Sequence, residues 1–163
     1  MKHTISILVE NHAGVLARVA GLFARRGFNI DSLAVGVTED EKISRITIIA
    51  DGTAYTLEQI EKQLNKLIDV IKVRHLPAEE LLSRELVLIK VACQPSQRAE
   101  LISLAEIAKA KISDITVNTM TLELSDSVPR IKTFEELLRP YGIKETVRTG
   151  SVSYTHLRAH ETE

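Results

Sequence analysis

Apolar and polar residues alternate at the start of the chain and then change period. Ile5, Ile7 and Val9 interleave with Thr4, Ser6 and Leu8, the period-two pattern of a strand with at least one buried face. Asn11-His12-Ala13-Gly14 reads as a turn. Val15, Val19, Leu22 and Phe23 then recur at helical spacing, with Arg18 and Arg25 on another face. Gly27 is placed to end this helix, because glycine takes a left-handed cap without steric cost. A second strand is predicted from about Ile30 to Val37, a charged hairpin loop over Glu39-Asp40-Glu41-Lys42, and a third strand through Ile46, Ile48 and Ala50. Thr56 with Gln59 reads as a capping box opening a helix whose apolar side is Leu57, Ile60, Leu64 and Leu67. A fourth strand carries Ile71 and Val73, interleaved with Lys72 and Arg74. The order βαββαβ is the split motif of ferredoxin-like folds.

The same order then repeats. Pro77 starts what reads as a single helical turn in a short connection, and Leu86 to Val91 reads as a strand. Pro95 suits the first turn of a helix whose buried face is Leu101, Leu104, Ala105 and Ala108. Ile112 and Ile115 suggest a strand, and Met120, Leu122 and Leu124 alternate with Thr121, Glu123 and Ser125 in another. Pro129 opens a helix with Ile131, Phe134, Leu138 and Tyr141 on one side, Gly142 stops it, and Ile143 to Thr149 begins a last strand. The expected architecture is therefore α+β, two ferredoxin-like βαββαβ modules in tandem over 1–76 and 84–150, joined by a linker over 77–83. The stretch from Val152 to Thr162 resembles the translation of a sequencing-library adapter, so 151–163 is set aside from fold reasoning. His156 and His160, four apart within it, share the spacing of a helical pair of metal ligands and carry no weight on that reading.

Composition narrows the function. The 163 residues carry a formal charge of -1, which provides no strong field toward nucleic acid or an anionic membrane. Aromatic residues make up only 4%, and Phe23 and Phe134 fall on helix patterns, which argues against an RNA-binding use of this fold class. No apolar run is long enough to span a bilayer, and the single Cys93 cannot form an internal disulfide; both fit a soluble cytoplasmic protein. No nucleophile motif, phosphate-binding glycine loop or metal-ligand pattern occurs before the tail, so no catalytic or metal-binding residue is assigned.

Two features point instead to small-molecule binding. The second strand of a βαββαβ module lies at a sheet edge, and here it holds neither lysine nor proline to block pairing with another chain. Either a second copy pairs with it or another segment covers it. The first strand-to-helix turn, Asn11 to Leu16, offers free N–H groups at a helix start, an asparagine that both donates and accepts, and Gly14 for close backbone approach. Pairing of two copies would bring Asn29 and Ile30 of one near that turn of the other. The alternative is plain local chemistry, with Gly14 serving only the turn and Asn11 only a cap.

The residues that carry these features also carry a resemblance. Glu10-Asn11-His12-Ala13-Gly14-Val15-Leu16-Ala17-Arg18-Val19, Gly21-Leu22-Phe23 and Arg26-Gly27-Phe28-Asn29-Ile30-Asp31-Ser32-Leu33 closely resemble the N-terminal ACT domain of acetohydroxyacid synthase (acetolactate synthase) small subunits. Ser44-Arg45-Ile46-Thr47-Ile48 and the run from Glu58 to Leu67 continue the likeness. Arg84-Glu85-Leu86, the run from Glu136 to Ile143 and Val147-Arg148-Thr149-Gly150 resemble the C-terminal, ACT-like domain of that family. The resemblance implies a non-catalytic regulatory subunit that binds valine, or leucine or isoleucine, between paired ACT domains. It implies a homodimer and a partner, the large catalytic subunit, which holds thiamine diphosphate, magnesium and FAD; no cofactor belongs to this chain. It implies that the subunit raises the partner's activity and confers feedback inhibition in valine and isoleucine biosynthesis. Asn11, Gly14 and Asn29 match family positions linked to effector binding, with His12, Ala13, Val15, Leu16 and Ile30 as their neighbours. The rival within the resemblance is an ACT-domain amino-acid sensor that regulates a different enzyme.

Overall fold

A computed structural model describes residues 1–155, and the histidines at 156 and 160 lie outside the described residues. The described residues divide into two compact units, Met1–Leu82 together with residues 151–155, and Ser83–Gly150. In the first unit β1 (Lys2–Glu10), α1 (Val15–Arg25), β2 (Asn29–Val37), β3 (Ile43–Asp51), α2 (Ala54–Leu64) and β4 (Val70–Leu76) follow in order. The strands form one antiparallel sheet in the order β2-β3-β1-β4, so β2 is an edge. Strand alternation turns Ile5, Ile7, Val9, Ile46, Ile48 and Ala50 toward one face. There they pack against Val15, Val19, Leu22 and Phe23 of α1 and Leu57, Ile60 and Leu64 of α2. All four α1 positions expected from the helical spacing are buried.

Three local readings are corrected by the structure. The second helix is capped by Thr53, not Thr56: the Thr53 side chain accepts from the Thr56 N–H at 3.1 Å, and Thr56 sits inside the first turn. Thr53 follows Gly52 at the close of β3 and has the extended backbone a cap requires, so it competes successfully for the role. Leu67 lies past the helix end and packs on the core from the connection to β4. Ile71, expected to line β4, is instead 51% exposed. Leu8 pairs with Lys72 and Val9 with Val70, so Ile71 is the extra residue of a bulge and is turned out, while Val70 and Val73 pack on the core. Thr53→Ala is expected to cost the first unit about 1 kcal/mol, read as a lower midpoint of chemical unfolding with an unchanged slope.

The second unit repeats the plan. A single 3-10 turn (Ala78–Glu80) leads into β5 (Leu81–Ala92), which begins five residues earlier than its apolar alternation suggests. Then come α3 (Arg98–Ala108), β6 (Lys111–Ile115), β7 (Thr119–Asp126), α4 (Val128–Leu138) and β8 (Ile143–Arg148), with the sheet ordered β6-β7-β5-β8. Its core joins Val87, Ile89, Val91, Met120, Leu122 and Leu124 to Leu101, Ala105, Ile131, Phe134 and Leu138. Cys93 is buried in the same core, as a small apolar side chain would be. Gly142 has φ 98°, a conformation that favours glycine, and ends the second helical segment. β6 forms, but all five of its residues are exposed, because it is an edge with a register break between Ile112 and Asp114.

The described part of the segment set aside in the sequence, residues 151–155, contains a strand. Val152–Thr155 forms β9, which approaches β1 within the first unit. Ser151, Ser153 and Thr155 are buried, and the Ser151 N–H donates to Ser32 Oγ at 2.8 Å. Among the described residues no helix is long and apolar enough to cross a membrane.

Candidate effector-binding turn

The turn after β1 is held in place from two sides. The Asn11 N–H donates to the Lys42 carbonyl at 2.8 Å, and Asn11 Nδ2 donates to the Glu41 carbonyl at 3.0 Å. Asn11 therefore fastens the turn to the β2–β3 hairpin and does not cap the helix. The cap position is Gly14, at φ 87° and ψ -14°, and no side chain satisfies the helix N–H groups there. The first intrahelical bond runs from the Arg18 N–H to the Gly14 carbonyl at 3.2 Å. The earlier N–H groups of α1 thus lack intrahelical acceptors and point toward whatever fills the space before the helix.

Asn11, His12, Ala13, Gly14 and Leu16 are exposed, whereas Val15 is buried in the core and anchors the helix start. An added Cβ on Gly14 would meet only Arg18 Nη1, at 3.5 Å. Arg18, unremarkable in the sequence, pairs with Asp69 in the loop before β4. Two cues could have found this pair: Arg18 lies one helical turn beyond Gly14, and Asp69 is the one acid between Leu67 and Val70. His12 Nε2 lies 3.9 Å from both Glu10 Oε2 and Asp69 Oδ1. Glu10, His12 and Asp69 are the one group of three or more among the described residues whose ligand atoms could share a metal ion. Asp69 is already engaged by Arg18, so a cation there would have to displace a guanidinium.

Asn29 and Ile30 are not part of this turn in a single chain. Asn29 pairs with Asp51, which pairs with Lys2, so it sits at the far end of the sheet. The turn emerges where Glu10 pairs with Ile43. Eight residues of β1 separate the two ends, about 26 Å at the usual rise. At that far end Asn29 Nδ2 donates to Asp31 Oδ1 at 3.0 Å, Asp31 also takes the Lys2 ammonium, and Ile30 packs on the core. That partnership lifts the Lys2 pKa: the hydrogen bond to Asp31 leads, against a smaller opposing effect of burial.

Comparison with known proteins agrees with this construction in both halves. Residues 5–72 match the AHAS small subunit-like ACT domain, and residues 84–156 match the small subunit of acetolactate synthase. The chain is 50% identical over 153 residues to a protein named probable acetolactate synthase small subunit from Archaeoglobus fulgidus, covering 94% of this chain and 96% of that one. It is 46% identical over 151 residues to the acetolactate synthase small subunit of Mycobacterium leprae, covering 93% of this chain and 89% of the relative. The crystal structure of the acetolactate synthase small subunit from Thermotoga maritima superposes with a TM-score of 0.88 at 39% identity, over 96% of this chain and 98% of that one. With both modules matched in order and relatives covered almost end to end, the chain belongs to the family of acetolactate synthase small subunits, the non-catalytic regulatory components of that enzyme.

Proposed function

We propose that two copies of this chain pair through β2 and bind valine, or the related leucine or isoleucine, in sites shared between them. The pair associates with the large catalytic subunit of acetolactate synthase, raises its activity and makes it subject to feedback inhibition. Thiamine diphosphate, magnesium and FAD stay with that subunit.

The observation that carries this reading is the register of the first sheet. In one chain Asn29 and Gly14 lie at opposite ends. Val37, at the other end of β2, pairs with Ser44, and Ser44 with Val9, beside the turn. Antiparallel pairing of two β2 edges about a two-fold axis near Leu33 sets Asn29 of one copy opposite Val37 of the other. Asn29 and Ile30 of each copy then come beside the partner's Asn11–Leu16 turn. The turn offers helix N–H groups to a carboxylate, Asn11 and Asn29 offer polar groups to an ammonium, and Leu16 and Ile30 offer apolar contact. The family match over 84–156, beyond the ACT module, favours the synthase over another enzyme as partner.

An effector shifts a conformational equilibrium only through its differential affinity for the two states. Valine must therefore favour the pairing in which the catalytic subunit is less active. Titration with valine, leucine and isoleucine, each with and without the catalytic subunit, tests this. The expected result is one saturable site per chain and lower synthase activity over the same concentration range. Absence of binding, or of association with the catalytic subunit, would reject the reading.

A further inference from the structure

The far end of the first sheet holds a pair of histidines that the effector-binding turn does not use. His75 of β4 pairs with Ile5 of β1, and strand alternation sets His3, two residues back on β1, on the same face. The two are diagonal neighbours, close enough for their rings to meet. The ring centroids lie 5.4 Å apart at an interplanar angle of 56°, and His3 Nδ1 is 3.4 Å from His75 Nε2. That separation is long for a hydrogen bond. It matches two imidazole nitrogens on a tetrahedral zinc, which stand about 3.4 Å apart when each bond is about 2.0–2.1 Å.

The surroundings of His3 suit a metal ligand. Its Nε2 lies 3.1 Å from the Gly52 carbonyl, which can only accept, so in the neutral ring Nε2 carries the proton and Nδ1 presents a lone pair. Gly52 is pressed against the core, where an added Cβ would collide with the Phe28 ring, so that carbonyl is held in place. A backbone carbonyl behind the ring is a usual support of a metal-bound histidine, fixing both its tautomer and its orientation. His3 is 6% exposed, whereas His75 is exposed and gives access from solvent. The two cations that precede His3 already have counter-ions: the Met1 ammonium meets Asp51 at 2.6 Å, and Lys2 meets Asp31.

We propose that His3 and His75 bind a divalent transition-metal ion, with zinc as the ion whose geometry they match and water in its remaining positions. His3 binds through Nδ1. His75 binds through Nε2, with its proton on Nδ1. Imidazole nitrogens select zinc, nickel or copper over magnesium and calcium, which prefer oxygen ligands. The ion ties β1 to β4 beside Gly52, which directly precedes Thr53, the cap of α2. This site is at the opposite end of the sheet from the Asn11–Leu16 turn and does not rest on the amino-acid reading of that turn.

The test is titration calorimetry of the full chain with zinc chloride. The other three histidines, His12, His156 and His160, are first replaced by glutamine, so that only this pair remains. One saturable site per chain is expected, unaffected by excess magnesium. Adding His75→Gln should weaken it at least tenfold; that side chain is exposed, so the variant stays folded, checked by circular dichroism. Adding His3→Gln instead keeps an N–H donor for the Gly52 carbonyl while removing the Nδ1 ligand, and should weaken zinc binding to the same extent. No saturable site with the pair intact, equal affinity after either substitution, or competition by magnesium would each overturn the proposal.

Discussion

Gly14→Asp is expected to reduce valine affinity more than a hundredfold while the protein stays folded and paired. The backbone at position 14 has φ 87°, so any residue but glycine is strained there, by about 1–2 kcal/mol. Aspartate is among the residues that tolerate that conformation best. Its Cβ would meet only the end of the Arg18 side chain. The net cost in stability is therefore about that of the backbone strain. The cost to binding is large, because the new carboxylate lies where a ligand carboxylate would use the helix N–H groups and repels that ligand. Gly14→Ala separates the two effects: it carries the strain without the charge, and should lose less affinity. Unchanged valine affinity in the aspartate variant, measured by calorimetry, would show that the ligand does not dock at this turn.

Val35→Pro should dissociate the pair and lower valine affinity at least thirtyfold, leaving each unit folded. The Thr38 N–H donates to the Ile43 carbonyl at 2.9 Å, which fixes the direction of the β2 amides. Alternation then turns the N–H groups of Gly36 and Ala34 toward β3 and those of Val37, Val35 and Leu33 toward the open edge. Proline at 35 thus removes a donor from the edge without breaking the β2–β3 ladder, as proline does where natural edges are protected. Val35 and Val37 are 48% and 61% exposed, which is much apolar surface for an edge with no lysine or proline to guard it. Analytical ultracentrifugation gives the mass and calorimetry the affinity. A variant that remains dimeric and binds valine as before would move both the interface and the site elsewhere.

The two readouts also distinguish the turn from the interface. Gly14→Asp should lose the ligand and keep the pairing. Val35→Pro should lose both, because Asn29 and Gly14 of one chain are at opposite ends of its sheet.

Much of the fold was legible because its signals are local. The α1 face of Val15, Val19, Leu22 and Phe23, the alternation of Met120, Leu122 and Leu124, and glycines at 27 and 142 each report a constraint that one segment imposes on itself. Where the sequence misled, a neighbour decided. Ile71 looks like a core position, and only pairing with β1 shows that a bulge turns it out. Thr56 and Gln59 satisfy a capping pattern, but the end of β3 makes Thr53 the cap. β5 starts at Leu81, and its first four residues already alternate between half-buried and exposed, although their sequence, Leu-Leu-Ser-Arg, does not alternate cleanly.

The sequence by itself determined that this chain is two βαββαβ modules of the small-subunit family and which residues form the turn after the first strand, since periodicity, turn chemistry and ordered motifs are properties of contiguous residues. Only the tertiary structure decided that Asn11 ties that turn to the β2–β3 hairpin, that Arg18 pairs with Asp69, and that His3 and His75 meet at the far end of the sheet. Those facts depend on strand register and on chain segments far apart in sequence, and register is set by the packing of the whole sheet.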